Sequence, residues 1–174
     1  MRILIIGTPD SGKSLLAENI CEEISKDLNK YYIATMIPFG EEGIKRVKKH
    51  RAMREGKGFV TIECSDNIHL IYEQIKPDST VLLECLSNLV GNEMHHKNAS
   101  LIDSELIEKI KKDVLGLTSK NLLIVSNEFE IKDSFDEDTK RYCKLLHMAN
   151  ESLRKEVDRV YEIINGEWKE IDNH

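Results

Sequence analysis

Short, wholly apolar runs alternate along this chain with longer stretches whose apolar residues recur every three or four positions. The first run, RILIIG, has no polar alternation and ends in glycine, as a strand buried on both faces does. SLLAENICEEISKDL follows, with Leu16, Ile20, Ile24 and Leu28 evenly spaced one helical turn apart, which predicts an amphipathic helix. The two rhythms then repeat. YYIATM predicts a second strand, and EEGIKRVKKHRAMREG a basic helix with acidic residues in its first turn and Gly56 at its close. FVTIEC predicts a third strand, and SDNIHLIYEQIK a helix opened by Ser65 as N-cap and ended by Pro77 and Asp78. TVLLEC is another buried strand, leading into a helical stretch through Met94. DSELIEKIKKDVLGL reads as a helix, NLLIVS as a strand and DEDTKRYCKLLHMANESLRKEV as a long helix. RVYEII and EWKEI close the pattern as a hairpin around Asn165-Gly166.

Strands separated by helices require crossover connections, so the pattern predicts an α/β fold: a mainly parallel sheet flanked by helices, with a closing β-hairpin. At 174 residues the chain suits one domain, residues 1–174. The irregular acidic stretch NEFEIKDSFDED is either a surface loop or a substrate lid. A hydrophobic share of 40% and a charged share of 32% are those of a globular protein. The net charge of -6 argues against a broad nucleic-acid-binding surface. Apolar runs of about six residues are too short for a membrane span. The opening residues read as a strand and not as a signal peptide. Cys21, Cys64, Cys85 and Cys143 form no CxxC pair, which fits reduced, mostly buried thiols and a cytoplasmic location.

Candidate chemistry enters at the end of the first strand. Gly7, Thr8, Pro9, Asp10, Ser11, Gly12, Lys13 and Ser14 spell a phosphate loop between a buried strand and an amphipathic helix. The glycines let backbone N–H groups turn toward a polyphosphate, Lys13 reaches its terminal phosphates, and Ser14 offers a hydroxyl to Mg²⁺. Such a loop works with a carboxylate at the end of a neighbouring strand, and both Glu63 and Glu84 stand at such positions. A guanine-reading N-K-x-D is missing from the sequence. A small-molecule kinase and a nucleotidyltransferase both stay open.

His50 lies in the segment RVKKHRAMR, where Arg46, His50 and Arg54 share one helix face. Two guanidinium groups beside an imidazole suit phosphate oxygens. The surrounding positive charge favours the uncharged ring, which next to an α-phosphate is a nucleophile. A solvated basic face carrying an incidental histidine gives the same spacing. His69 and His147 read as packed or surface residues. The His95-His96 pair lacks a third metal ligand, and Trp168, Tyr31 and Tyr32 read as packing residues.

Taken in order, these motifs resemble the bifunctional adenosylcobinamide kinase/adenosylcobinamide-phosphate guanylyltransferases of cobalamin assembly. The resemblance runs through GxxxSGKS with Ala17-Glu18, YIAT (32–35), RVxxHRxxR, the acids of Glu63-Cys64 and LLEC, Asn88-Leu89, VSNE (125–128) and Asn150 with Leu153. It implies a phosphate-loop NTPase-like fold assembling as a homotrimer, acting on a corrinoid with ATP and GTP as substrates and Mg²⁺ as cofactor. It implies His50 as the residue that carries GMP. Ala34, Thr35, Met36, Arg51, Ala52, Met53, Arg54, Glu63 and Glu84 join the loop as nucleotide-binding residues, with Ser14 and Glu84 at the metal. A phosphate-loop kinase without the guanylyltransferase step, or a nucleotide-binding relative with little turnover, would share most of these letters. The chain departs from the family at Asp10, where arginine is usual, at Met36 for serine, and at Glu55 for proline. The stretch after VSNE also lacks the usual glycine and Val-Pro.

Overall fold

The computed structural model of the protein describes residues 1–96 and 100–171. Seven strands form one sheet: β1 (Arg2–Gly7), β2 (Asn29–Ala34), β3 (Phe59–Glu63), β4 (Ser79–Glu84), β5 (Asn121–Asn127), β6 (Arg159–Ile164) and β7 (Glu167–Ile171), in the order β3-β2-β4-β5-β1-β6-β7. All neighbours are parallel except the final pair, β6 and β7. Every residue of β4 is buried, the apolar centre Val81–Leu83 as a central parallel strand requires, with Ser79, Thr80 and Glu84 buried at its ends. The hairpin turns at Asn165 and Gly166, both with positive φ (52° and 78°), the geometry that Asn-Gly accepts at low cost.

Helices cover both faces. Ala17 and Cys21 of α1 (Lys13–Ser25) pack with Ile3, Ile5, Leu82, Leu123 and Val125 on one side. The larger core, on the other, joins Leu4, Leu83 and Ile124 to residues of α3 (Leu86–Met94), α4 (Asp103–Leu115) and α5 (Glu137–Arg154). The basic helix α2 (Gly40–Arg54) stands apart, with only Gly43 and Arg54 buried.

Trp168 of β7 packs with the α1-side cluster and reaches the phosphate loop. A Cβ added to Gly7 would lie 3.0 Å from its Cη2 and 2.7 Å from the Ser11 hydroxyl. That close approach explains the glycine: the indole and the loop occupy the space a side chain would need.

One expected helix takes another form. The segment opened by Ser65 contains a 3-10 helix, Ile68–Gln74, preceded by Asn67 in the left-handed region at φ 48°. Tertiary bonds hold residues 65–67 out of a helix. The Ser65 carbonyl accepts from Asn92 Nδ2, and the Asn67 N–H donates to Glu93 Oε1, each at 2.8 Å. Buried Ile68 and Ile71 then fall three residues apart, the 3-10 period. The second strand also differs at its ends, beginning at Asn29 and stopping at Ala34, so Thr35 and Met36 lie beyond it. The α1 helix ends at Ser25, before Leu28. The stretch after Asn127 is without helix or strand until Asp136, whose side chain caps α5 by accepting from the Thr139 N–H at 2.7 Å.

Candidate active site

Six parallel strands end at one edge of the sheet. The register sets Gly7 beside Asn127, Val125 beside Glu84, and Ala34 beside both Glu84 and Glu63. In open α/β sheets ligands bind at this edge. Side chains alternate along each strand, so the residues in step with Ile3, Ile5, Leu123, Val125 and Leu82 share the α1 face. Gly7, Asn127 and Glu84 therefore stand on one face, above the start of α1.

The loop after β1 adopts its shape through its own residues. Gly12 sits at φ 88° as the N-cap of α1, and its carbonyl accepts from the Leu16 N–H at 3.1 Å. Lys13 is buried, and its Nζ donates to the Thr8 carbonyl across the loop at 2.6 Å. Burial lowers the Lys13 pKa from its ordinary range, against the raising pull of Cys85 and Glu84. A desolvated ammonium at a helix N-terminus is well matched to phosphate.

Ser14 donates its hydroxyl to Glu84, and Tyr32 donates its own to the second Glu84 oxygen at 2.8 Å. Burial, then the charge of Glu84, pushes the Tyr32 hydroxyl far above its usual pKa, so it remains a donor. Above Tyr32 lies Arg54, its guanidinium carbon 3.4 Å from the ring centroid, and Arg54 Nη1 donates to the His50 carbonyl at 2.9 Å. A continuous set of contacts thus runs from the His50 helix through Arg54, Tyr32 and Glu84 to Ser14.

These groups line a cleft of about 610 Å³. Into it the structure brings Asp10, Ser11, Gly12, Lys13, Ser14, Ala34, Met36, His50, Arg51, Met53, Arg54, Glu63 and Glu84. Met36, Ile37 and Pro38 give it an apolar wall. Gly7, Thr8 and Pro9 belong to the loop but not to the lining, and Ala52 lines a shallow outer groove with Lys48 and Gly56. Thr35 lies wholly buried outside the lining, its hydroxyl accepting from the Cys85 N–H and donating to the Cys85 carbonyl, each at 2.8 Å.

Two expectations need adjustment. Arg54 is no open partner of Arg46 beside His50, because it is 7% exposed and stacked on Tyr32. Glu63 pairs with Arg51 at 2.8 Å while mostly exposed, and only Glu84 meets Ser14. Asp10, where the family usually has arginine, has Arg46 Nη2 3.9 Å away, a solvent-screened pair of little energetic weight. His69 and His147 are surface residues paired with Asp113 and Glu128. His95 and His96 face different acids, Asp138 and Asp66, and no cluster of three metal-binding side chains occurs among the described residues. All four cysteines are free thiols.

Among the lining residues without a role in the sequence reading, Tyr32 and Asn127 carry the most chemistry. Tyr32 reads as packing because its partners Glu84 and Arg54 are distant in the chain. Asn127 ends β5 as Glu84 ends β4, and that shared place at a strand end is the signal that could have marked it.

The family described as CobU: cobinamide kinase / cobinamide phosphate guanyltransferase matches residues 3–171. The bifunctional adenosylcobalamin biosynthesis protein CobU of Escherichia coli K12 is 37% identical over 93 residues, covering 53% of this chain and 49% of that protein. Its Salmonella typhimurium LT2 counterpart is 34% identical over 93 residues, with the same coverage of 53% and 49%. The matched region spans about half the length of these relatives. Among solved structures, the ATPase domain of G40P has a TM-score of 0.55 at 14% identity, covering 94% of this chain and 69% of that one. A prototypical ATPase of a bacterial type III secretion system has a TM-score of 0.57 at 11% identity, covering 94% and 51%. These likenesses show the phosphate-loop ATPase fold. With a match running almost from end to end, the chain belongs to the cobinamide kinase / cobinamide phosphate guanyltransferase family.

Proposed function

We propose that this protein phosphorylates the aminopropanol hydroxyl of adenosylcobinamide and then transfers GMP from GTP to the product through His50. The observation that carries the reading is that His50 lines the same cleft as Lys13, Ser14 and Glu84 within a single chain. One phosphate-binding cleft then serves both steps.

In the first step the loop N–H groups and Lys13 hold the β- and γ-phosphates of ATP or GTP. The Ser14 hydroxyl and the Glu84 carboxylate, already in contact, form a hard-oxygen pair that fits magnesium. Magnesium, when bound there, supplies neutralisation of charge developing on the phosphate oxygens. Tyr32 holds Glu84 in place for that role.

In the second step an imidazole nitrogen of His50 bonds to the α-phosphorus of GTP. The bond to the bridging oxygen breaks, and pyrophosphate leaves with the electron pair. GMP remains on His50 as a phosphoramidate until the corrinoid phosphate displaces the ring, giving adenosylcobinamide-GDP. Splitting the transfer into two displacements is the advantage of a covalent intermediate. Arg46 and Lys49, also in the lining, supply positive charge near the reacting phosphates. The homotrimer and the particular corrinoid are part of the same reading and rest on kinship alone.

The test is direct. Incubation with GTP labelled at the α-phosphate should leave an acid-labile, base-stable adduct on the protein, and His50→Ala should abolish it. An adduct of unchanged yield in His50→Ala would refute the assignment.

A further inference from the structure

Asn127 stands at the tip of β5, between the strand of the phosphate loop and the strand of Glu84, and lines the cleft. Its surroundings fix it firmly. The backbone carbonyl accepts from Asn150 Nδ2 at 2.9 Å, and the side-chain Nδ2 donates to the Ser87 hydroxyl at 2.9 Å. Asn150 is itself clamped, its Oδ1 accepting from the Ser126 hydroxyl at 2.6 Å and its Nδ2 also donating to Glu128 at 2.7 Å. Among these polar atoms, Asn127 Oδ1 alone is buried with no hydrogen-bond partner. A buried amide oxygen left unanswered costs about 1–3 kcal/mol, so a retained one calls for a functional partner.

The chemistry of that partner is restricted. An amide oxygen offers lone pairs only, so an ionised phosphate oxygen is excluded and the partner is a cation or an O–H or N–H donor. The Ser14–Glu84 pair already provides the oxygens that fit magnesium, which leaves a donor for Asn127. Asn127 also lies two residues past the level of Glu84, toward the ligand edge, on the face that carries Gly7 and Ser14. Beside the transferable end of a nucleotide held by the loop, the donor that matches is the hydroxyl about to be phosphorylated.

Resting on the kinase step proposed above, we infer that Asn127 Oδ1 accepts a hydrogen bond from the alcohol substrate and turns its oxygen toward the terminal phosphorus. In the step itself the alcohol oxygen bonds to that phosphorus. The bond to the bridging oxygen breaks, its electron pair leaves with the nucleoside diphosphate, and the hydroxyl proton passes to water. Asn127 orients the alcohol and does not take the proton.

The experiment measures phosphoryl transfer from γ-labelled ATP to adenosylcobinamide by the full chain, its Asn127→Ala form and a Ser87→Ala form. Asn127→Ala should lower kcat/KM for the alcohol about tenfold or more while KM for ATP stays within about twofold. Ser87→Ala, which frees the amide to rotate, should show a smaller loss in the same parameter. Thermal melting confirms that each variant is folded. Loss of ATP affinity with an unchanged alcohol KM would overturn the assignment by giving the amide to the nucleotide. So would an Asn127→Ala enzyme indistinguishable from the parent. A parent chain that transfers no label defeats the kinase reading itself, a result distinct from either of these.

Discussion

Asn150 is a fully buried amide that answers three polar atoms at once: the Ser126 hydroxyl, the Asn127 carbonyl and the Glu128 carboxylate. Asn150→Ala should lower unfolding free energy by about 1–3 kcal/mol, the cost of leaving a buried polar partner unsatisfied. Urea denaturation measures this, and an unmoved midpoint would show that the three partners find water instead. At this scale the sequence is legible where a residue carries its own backbone demand. Gly12 needs a left-handed φ, and Lys13 and Ser14 follow it at fixed spacing, so the loop can be read letter by letter. Residues defined by distant partners are opaque. Arg54 looks like a free cation beside His50 until Tyr32, on another element, turns out to lie under it.

Side-chain bonds also tie elements together, and one of them is sensitive to pH. His95 at the C-terminal end of α3 bonds Gly91 O at 2.9 Å and Asp138, in the first turn of α5, at 3.0 Å. The bond to Asp138 first, then that to Gly91, raises the His95 pKa. The folded protein therefore keeps a proton that the unfolded chain gives up. Its contribution is complete below about pH 6.5 and fades as pH climbs through the raised value. The side chain is 60% exposed, so the effect is modest. His95→Ala should lower Tm more at about pH 5.5 than at about pH 8.5; equal losses would mean that packing, not charge, joins the two helices. Elements with strong periodicity, such as α4, α5 and the closing hairpin, emerge from the sequence nearly whole. The 3-10 helix does not, because Asn92 and Glu93 of α3 shape the segment before it.

Across the whole molecule, alternating strands and helices foretell a parallel sheet with two covered faces. The strand order is another matter. β5 enters between β1 and β4, and no periodicity in any one strand names its neighbours. That insertion places Asn127 in the cleft and makes VSNE more than a loop entrance. The last strand has a role of a different kind. Trp168 is the single tryptophan of the chain, and its ring closes on Gly7 at the start of the turn. Its emission therefore comes from one known place, beside the turn proposed to hold phosphates. Addition of magnesium-GTP should shift or quench that intrinsic fluorescence, and Lys13→Ala should abolish the change. A constant signal during binding verified by equilibrium dialysis would disconnect the indole from the turn. With that change observed, the indole would serve as a built-in optical gauge, through which each nucleotide arrival could be timed without a label.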